Sequence, residues 1–202
     1  MLVLDGSGSM WRFQVDVQRL ARSVVNQFSM QPGSVQVGLV EYSDAPQVLS
    51  PLTFDRGAVL SALNKYNTGG YTAISRGLEV AYDVLERGGE RSAASPPTQR
   101  IIILLTDGEQ SNWLGGAKRA VRTARSVRSQ GVTVLGVGFN EAQAETLSSI
   151  STSPASHFSL RANVITQLEH FLSNLCTIVY SPRPPPPPAS PPSPRPPSRP
   201  DL

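Results

Sequence analysis

Cysteine is nearly absent from this 202-residue chain: Cys176 is the only one, so no internal disulfide can form and a disulfide-stapled scaffold is excluded. Long apolar runs are missing as well. The longest, Ile101 to Leu105, falls far short of the ~20 residues a membrane-spanning helix requires, so no span is expected. The chain has no Gly-Lys-Ser/Thr sequence for a phosphate loop and no Asn-x-Ser/Thr sequon, and Trp11 stands where a dinucleotide fingerprint needs its third glycine. Proline is scarce through residues 1–180, which hold 6 of the 18, while the other 12 crowd into residues 181–202. Charge divides the same way. Of the net +3, the last 22 residues contribute +2, with Arg183, Arg195 and Arg199 against Asp201, and residues 1–180 contribute +1. A near-neutral body argues against nucleic acid as a partner, because counterion release needs clustered cations.

What is present reads as two units. Residues 1–180 suit one domain, a length that buries roughly 70% of the unfolded surface and needs no staples. Residues 181–202 are too proline-rich for helix or sheet and are expected to form an extended or disordered polyproline II tail. At the other end, Met1-Leu2-Val3-Leu4 runs straight into Asp5-Gly6-Ser7-Gly8-Ser9 with no basic start or cleavage site. The expectation is therefore either an intracellular protein or a fragment whose upstream residues are missing.

Within residues 1–180, short apolar runs alternate with stretches of helical period, which points to an α/β fold with a mostly parallel sheet. Strands are expected at Leu2–Leu4, Val35–Tyr42, Ile101–Thr106 and Val132–Val137, with a weaker one at Ser156–Ser159. Gln47–Leu52, with Pro51, reads as an antiparallel edge strand. Helices are expected over Trp11–Met30, Thr72–Arg87, Leu114–Gln130, Glu141–Ile150 and Val164–Tyr180. The segment Gly88–Arg100 reads as a surface loop.

The segment that carries chemistry is Asp5-Gly6-Ser7-Gly8-Ser9. It follows a strand, places one carboxylate and two hydroxyls at alternate positions, and lets its glycines turn the backbone so the oxygens converge. Alone it would read as a solvated turn. Two further oxygen donors change that: Thr72 follows the turn Thr68-Gly69-Gly70-Tyr71 and opens a helix, and Asp107 ends the strand Ile101–Thr106. Asp5 and Asp107 thus sit at the carboxyl ends of the strands where a doubly wound sheet reverses its winding, the place where such sheets bind ligands. Two carboxylates with three hydroxyls match a hard cation such as Mg²⁺ that keeps room for an outside ligand.

In these segments, and in Val37-Gly38-Leu39-Val40-Glu41-Tyr42-Ser43-Asp44, Gly69-Gly70-Tyr71-Thr72-Ala73-Ile74, Leu104-Leu105-Thr106-Asp107-Gly108 and Gly131-Val132-Thr133-Val134-Leu135-Gly136-Val137-Gly138, the chain resembles a von Willebrand factor type A domain. The resemblance covers about residues 1–180. It implies a Rossmann-like, doubly wound, mostly parallel six-stranded sheet with one antiparallel edge strand and helices on both faces. It also implies a metal-ion-dependent adhesion site formed by Asp5, Ser7, Ser9, Thr72 and Asp107, holding Mg²⁺, Mn²⁺ or Ca²⁺ and completed by a carboxylate from an Asp or Glu of a protein partner. Two departures stand out: almost nothing precedes the first strand, and Ser75 occupies a position where the family often has glycine.

Other features take plainer readings. Gly6-Ser7-Gly8 is not a Gly-x-Ser-x-Gly elbow, and His157 and His170 read as structural, so no enzyme is expected. Lys118, Arg119, Arg122, Arg125 and Arg128 read as the solvated face of one helix, with Leu114, Ala117, Val121 and Ala124 buried beneath, though sulfated glycans or acidic matrix partners could use it. Cys176 reads as packing.

Two functions compete. One is a divalent-cation-dependent adhesion module of the extracellular matrix or cell wall, binding a matrix glycoprotein or glycan; its tail resembles hydroxyproline-rich cell-wall glycoproteins of plants and green algae in composition. The alternative is a cytoplasmic scaffold whose tail docks to SH3- or WW-type modules.

Overall fold

A computed structural model of the chain describes residues 1–88 and 98–162. The expected helix at Val164–Tyr180, the tail, Cys176, His170 and most of the 88–100 loop lie outside the described residues. In chain order the elements are β1 (Leu2–Asp5), α1 (Gln14–Gln27), β2 (Val37–Tyr42), β3 (Gln47–Thr53), α2 (Arg56–Ala62), α3 (Ile74–Gly88), β4 (Arg100–Thr106), α4 (Gly116–Ser129), β5 (Val132–Phe139), α5 (Ala144–Ile150), α6 (Ala155–Phe158) and β6 (Ser159–Ala162). The six strands form one sheet in the order β3-β2-β1-β4-β5-β6, with β3 alone antiparallel to its neighbour. This is the doubly wound sheet with one antiparallel edge strand that the sequence predicts, and Pro51 stands exposed on that edge strand.

Alternation along the strands sorts the core into two layers. Leu2, Leu4, Leu39, Ile103, Leu105, Leu135 and Val137 pack with Val17, Leu20, Ala21 and Val24 of α1 and Val59 and Ala62 of α2. From the opposite face, Val3, Val40, Tyr42, Ile102, Leu104 and Val134 pack with Ile74, Leu78 and Ala81 of α3 and Ala120, Ala124 and Val127 of α4. Period two in the strands and period 3.6 in the helices thus meet in a three-layer sandwich.

The differences from expectation have local causes. The helix predicted from Trp11 begins as a 3-10 turn over Gly8–Phe13 and becomes α-helical at Gln14. The helix α2 was not expected, because seven residues with two buried apolar positions are too few to show a period; its signal is Asp55, whose carboxylate accepts from Ala58 N–H at 3.0 Å as an N-cap. The weak strand expected at Ser156–Ser159 is displaced: Pro154 leads into the single-turn α6, which carries the exposed His157, and pairing with β5 starts only at Ser159. In α4 the buried stripe is Ala120, Ala124 and Val127, while Ala117 and Val121 are half-buried, so the helix is rotated from the predicted phase. Lys118, Arg119, Arg122 and Arg125 are exposed as expected, whereas Arg128 turns inward to donate to the Ser151 carbonyl.

One glycine couples a helix to the future site. A Cβ on Gly77 of α3 would lie 2.8–2.9 Å from Cγ, Cβ and Cδ1 of the fully buried Tyr42. Alanine in a helix interior ordinarily stabilises by about 1 kcal/mol over glycine. Here the overlap, costing about 1–3 kcal/mol, outweighs that gain. Gly77→Ala is expected to lower the urea midpoint, and a raised midpoint would show that α3 can shift off β2 freely.

Candidate functional site

The site forms where β1 and β4 lie side by side, with β2 flanking β1 and β5 flanking β4. Parallel register places Asp5 opposite Tyr42 and Leu4 opposite Leu105, so the turns after β1 and β4 leave the sheet at the same edge. That edge is the switch point of a doubly wound sheet. The turn after β1 is held tightly. Gly6 N–H donates to the Tyr42 carbonyl at 2.7 Å, Gly69 N–H to the Gly6 carbonyl at 2.7 Å, and Gly8 N–H to the Gly70 carbonyl at 2.9 Å. Only glycine fits at position 6, because a Cβ there would lie 2.8 Å from Glu41 Cγ and 2.9 Å from the Asn67 carbonyl oxygen. Gly70 has φ of +76°, a left-handed conformation that glycine adopts without strain.

Four of the five expected ligands are joined directly. Ser7 N–H donates to Asp5 Oδ1 at 2.9 Å, Ser7 Oγ lies 3.2 Å from Ser9 Oγ, and Ser9 Oγ donates to Asp107 Oδ1 at 2.8 Å. Asp5, Ser7 and Asp107 are buried and Ser9 is exposed, so the cluster opens outward through Ser9. Thr72 reaches the same edge by a different route. It precedes α3 by two residues rather than opening it, and Ala73 accepts the first helical bonds from Arg76 and Gly77. The backbone of Thr72 pairs with Ser111, its carbonyl accepting from Ser111 N–H at 2.9 Å and its N–H donating to Ser111 Oγ at 3.2 Å. This joins the turn before α3 to the segment after Asp107, with Thr72 itself buried. Ser75, the departure from the resemblance, is buried and donates its N–H to Gln110 Oε1 at 2.8 Å, which ties the start of α3 to that same segment.

The two carboxylates have unlike surroundings. Asp5 is saturated: Thr106 Oγ1 donates to Oδ2 at 2.7 Å, Tyr42 OH to the same oxygen at 3.1 Å, and Tyr66 OH to the backbone carbonyl. Burial nonetheless pushes its pKa up to about 6, against the hydrogen bonds from Ser7 and Thr106 that favour the charged form. Burial also raises the pKa of Asp107, opposed by the bond from Ser9. Asp107 Oδ2 is buried with no hydrogen-bond partner. An orphaned buried oxygen on a carboxylate is costly in a native fold unless something electropositive meets it.

This donor chemistry fits a small hard cation. Among the described residues no group of three or more His, Cys, Asp or Glu could hold a metal, so a soft or borderline ion has no site of that kind there. The candidate set is instead two carboxylates and three hydroxyls, all oxygen. Tyr42, Tyr66 and Thr106 were not anticipated from the sequence. Tyr42 ends β2 directly opposite Asp5 in register, and Thr106 immediately precedes Asp107, so both follow once the strand order is known.

Known proteins resemble the chain in sequence and in fold. The chain is 30% identical over 145 residues to a UPF0353 protein of Mycolicibacterium paratuberculosis, spanning 69% of this chain and 44% of that one. It is 29% identical over 163 residues to the human collagen alpha-1(XXI) chain, 78% of this chain and 16% of that one. The chain therefore spans less than half the length of either relative. Among solved structures, proximal thread matrix protein 1 of the mussel byssus, with a zinc-occupied MIDAS motif, superposes with a TM-score of 0.70 at 20% identity, covering 88% of this chain and 44% of that one. At that identity the likeness is one of fold. The profile of the von Willebrand factor type A domain matches residues 1–174, and the chain belongs to that family.

Proposed function

We propose that the chain is a divalent-cation-dependent protein-binding module that engages an Asp or Glu carboxylate of its partner. In this reading Asp5, Ser7, Ser9, Thr72 and Asp107 hold the cation, with Mg²⁺ the expected ion and Mn²⁺ or Ca²⁺ able to replace it. The observation that carries the reading is Asp107 Oδ2, buried without a partner beside a cluster of hydroxyl and carboxylate oxygens. Its neighbour Asp5 already accepts three hydrogen bonds on its carboxylate, so in this reading it holds the cation through its charge and its grip on Ser7, while Asp107 offers the open oxygen. When bound, the cation supplies the electrophile that the partner's carboxylate ligates. The low charge of the ligand set keeps that electrophile unquenched.

The module is proposed as a binder rather than an enzyme. The one histidine among the described residues, His157, lies on α6 with its ring 6.4 Å from that of Phe158, and Ser7 has Ser9 rather than an imidazole beside it. A location in the extracellular matrix or cell wall belongs to the same proposal, supported by similarity to a collagen chain and to a byssus matrix protein. Among the described residues no helix is long and apolar enough to cross a membrane.

An array of acidic peptides, each paired with its Asn/Gln counterpart, tests the reading. Binding of the full chain is expected to acidic peptides alone, in Mg²⁺ or Mn²⁺ and not in EDTA. Signal that survives the chelator, or that ignores the acid-to-amide exchange, would remove the basis for the proposal.

A further inference from the structure

Two aromatic rings stand at the same edge of the fold, and the cation site uses neither. Tyr71 immediately precedes Thr72, and Trp113 follows Ser111 by two residues, so the Thr72–Ser111 backbone pairing brings the rings together. They meet edge to face, with centroids 4.7 Å apart and planes at 85°. Both are open to solvent, Tyr71 54% and Trp113 65% exposed. Perpendicular rings in contact make an angular corner, here called the notch, and large aromatics left in water together mark a contact surface.

Aromatic-walled notches suit polyproline II segments, which are extended before they bind and lose little entropy on docking. The chain's own sequence has the composition for such a ligand: residues 181–202 contain 12 prolines, five of them consecutive from Pro184 to Pro188. The segment bears Arg183, Arg195 and Arg199, and one carboxylate lies at the rings: Asp44 Oδ1 accepts from Tyr71 N–H at 2.8 Å.

Reach is sufficient. The strand β6 runs parallel to β5, so Ala162 leaves the described fold at the same edge as the site, two strand spacings or about 10 Å from β4. Ser181 is 19 residues beyond Ala162, and 22 residues would reach about 68 Å in polyproline II geometry.

We propose that the Tyr71–Trp113 notch is the docking site of the chain's own proline-rich segment, residues 181–202, within the same molecule. The contact is made by rings and prolines and does not require the cation, so it stands or falls separately from the cation site.

The chain has two tryptophans, and Trp11→Phe leaves Trp113 as the sole reporter. Acrylamide quenching of this full-length variant is compared with that of the same chain in which all 12 prolines of residues 181–202 are serine, which keeps length and charge. Quenching is expected to be about twofold greater in the serine chain, as when one of two ring faces is uncovered. The difference should be the same in EDTA and in Mg²⁺. Equal quenching in the two chains would overturn the proposal and leave the notch to a partner from outside the chain. Shielding that fades on dilution would assign the notch to the segment of a second copy and equally overturn docking within one molecule.

Discussion

Asp107→Ala is expected to abolish cation binding while leaving the fold intact and, without metal, slightly more stable. Both effects come from one oxygen. Asp107 Oδ2 is buried without a partner, and burial raises the pKa of the group, so the charged side chain is a liability until a cation meets it. Removing it deletes that penalty, about 1–3 kcal/mol for an unpaired buried polar group, at the loss of one hydrogen bond from Ser9, about 1 kcal/mol. The cation, by contrast, loses its one carboxylate oxygen with no competing bond. Loss of even an outer partner of a metal ligand costs about 10- to 100-fold in affinity, so more than about 100-fold is expected here. Titration calorimetry with Mn²⁺ and urea unfolding in EDTA read the two effects. Affinity retained within a few-fold would remove Asp107 from the site.

The second large effect is an inverted dependence of stability on pH. Asp5 is buried and its pKa is pushed up to about 6, above the roughly 3.9 of an unfolded aspartate. The folded state therefore holds this proton more tightly than the unfolded state. In metal-free protein, the contribution of Asp5 to stability should rise as pH falls from about 6 toward 4, by on the order of 3 kcal/mol, and should be absent above about 6. Burial also raises the pKa of Glu41 and Asp107, which act in the same direction. Saturating Mg²⁺ should reverse the trend, because protons then compete with the cation and acidification removes its stabilisation. Melting curves between pH 4 and 8, with EDTA and with Mg²⁺, distinguish the two states. The buried Met1 amine, its pKa lowered to about 5, works in the opposite direction, so the Asp5 contribution is read as the difference between the wild-type and Asp5→Asn curves without metal, and curves that run parallel would contradict the assignment.

The central strands and the oxygen cluster of Asp5, Ser7, Ser9 and Asp107 were legible in the sequence because each rests on a strong local signal. The run at Ile101–Leu105 is uninterrupted and apolar, that at Val37–Tyr42 is broken by Gly38 and Glu41 alone, and glycines flank the oxygen donors in the turns that follow β1 and precede α3. Short elements escaped for lack of such a signal: α2 buries Val59 and Ala62 alone, and β6 follows a single helical turn. The support around Asp5 escaped for a different reason. Tyr42, Tyr66 and Thr106 contact it from 37, 61 and 101 residues away, and none of these separations carries meaning until β1 is placed between β2 and β4. Thr72 shows a third case, in which residue type was readable but the start of α3 was not, because Ala73 rather than the threonine accepts the first helical bonds.

The distance along the chain between the site's members has a kinetic consequence. Ser9 and Asp107 are 98 residues apart, and the cluster exists only once the turn after β1 has met the end of β4. Such non-local contacts form late, after the entropy of closing a long loop has been overcome. A cation that needs both halves in place has little to hold in the folding transition state and much to hold in the native state. Bound there, it would act as a clasp on unfolding, lengthening the lifetime of the folded domain while leaving the rate at which it folds almost unchanged.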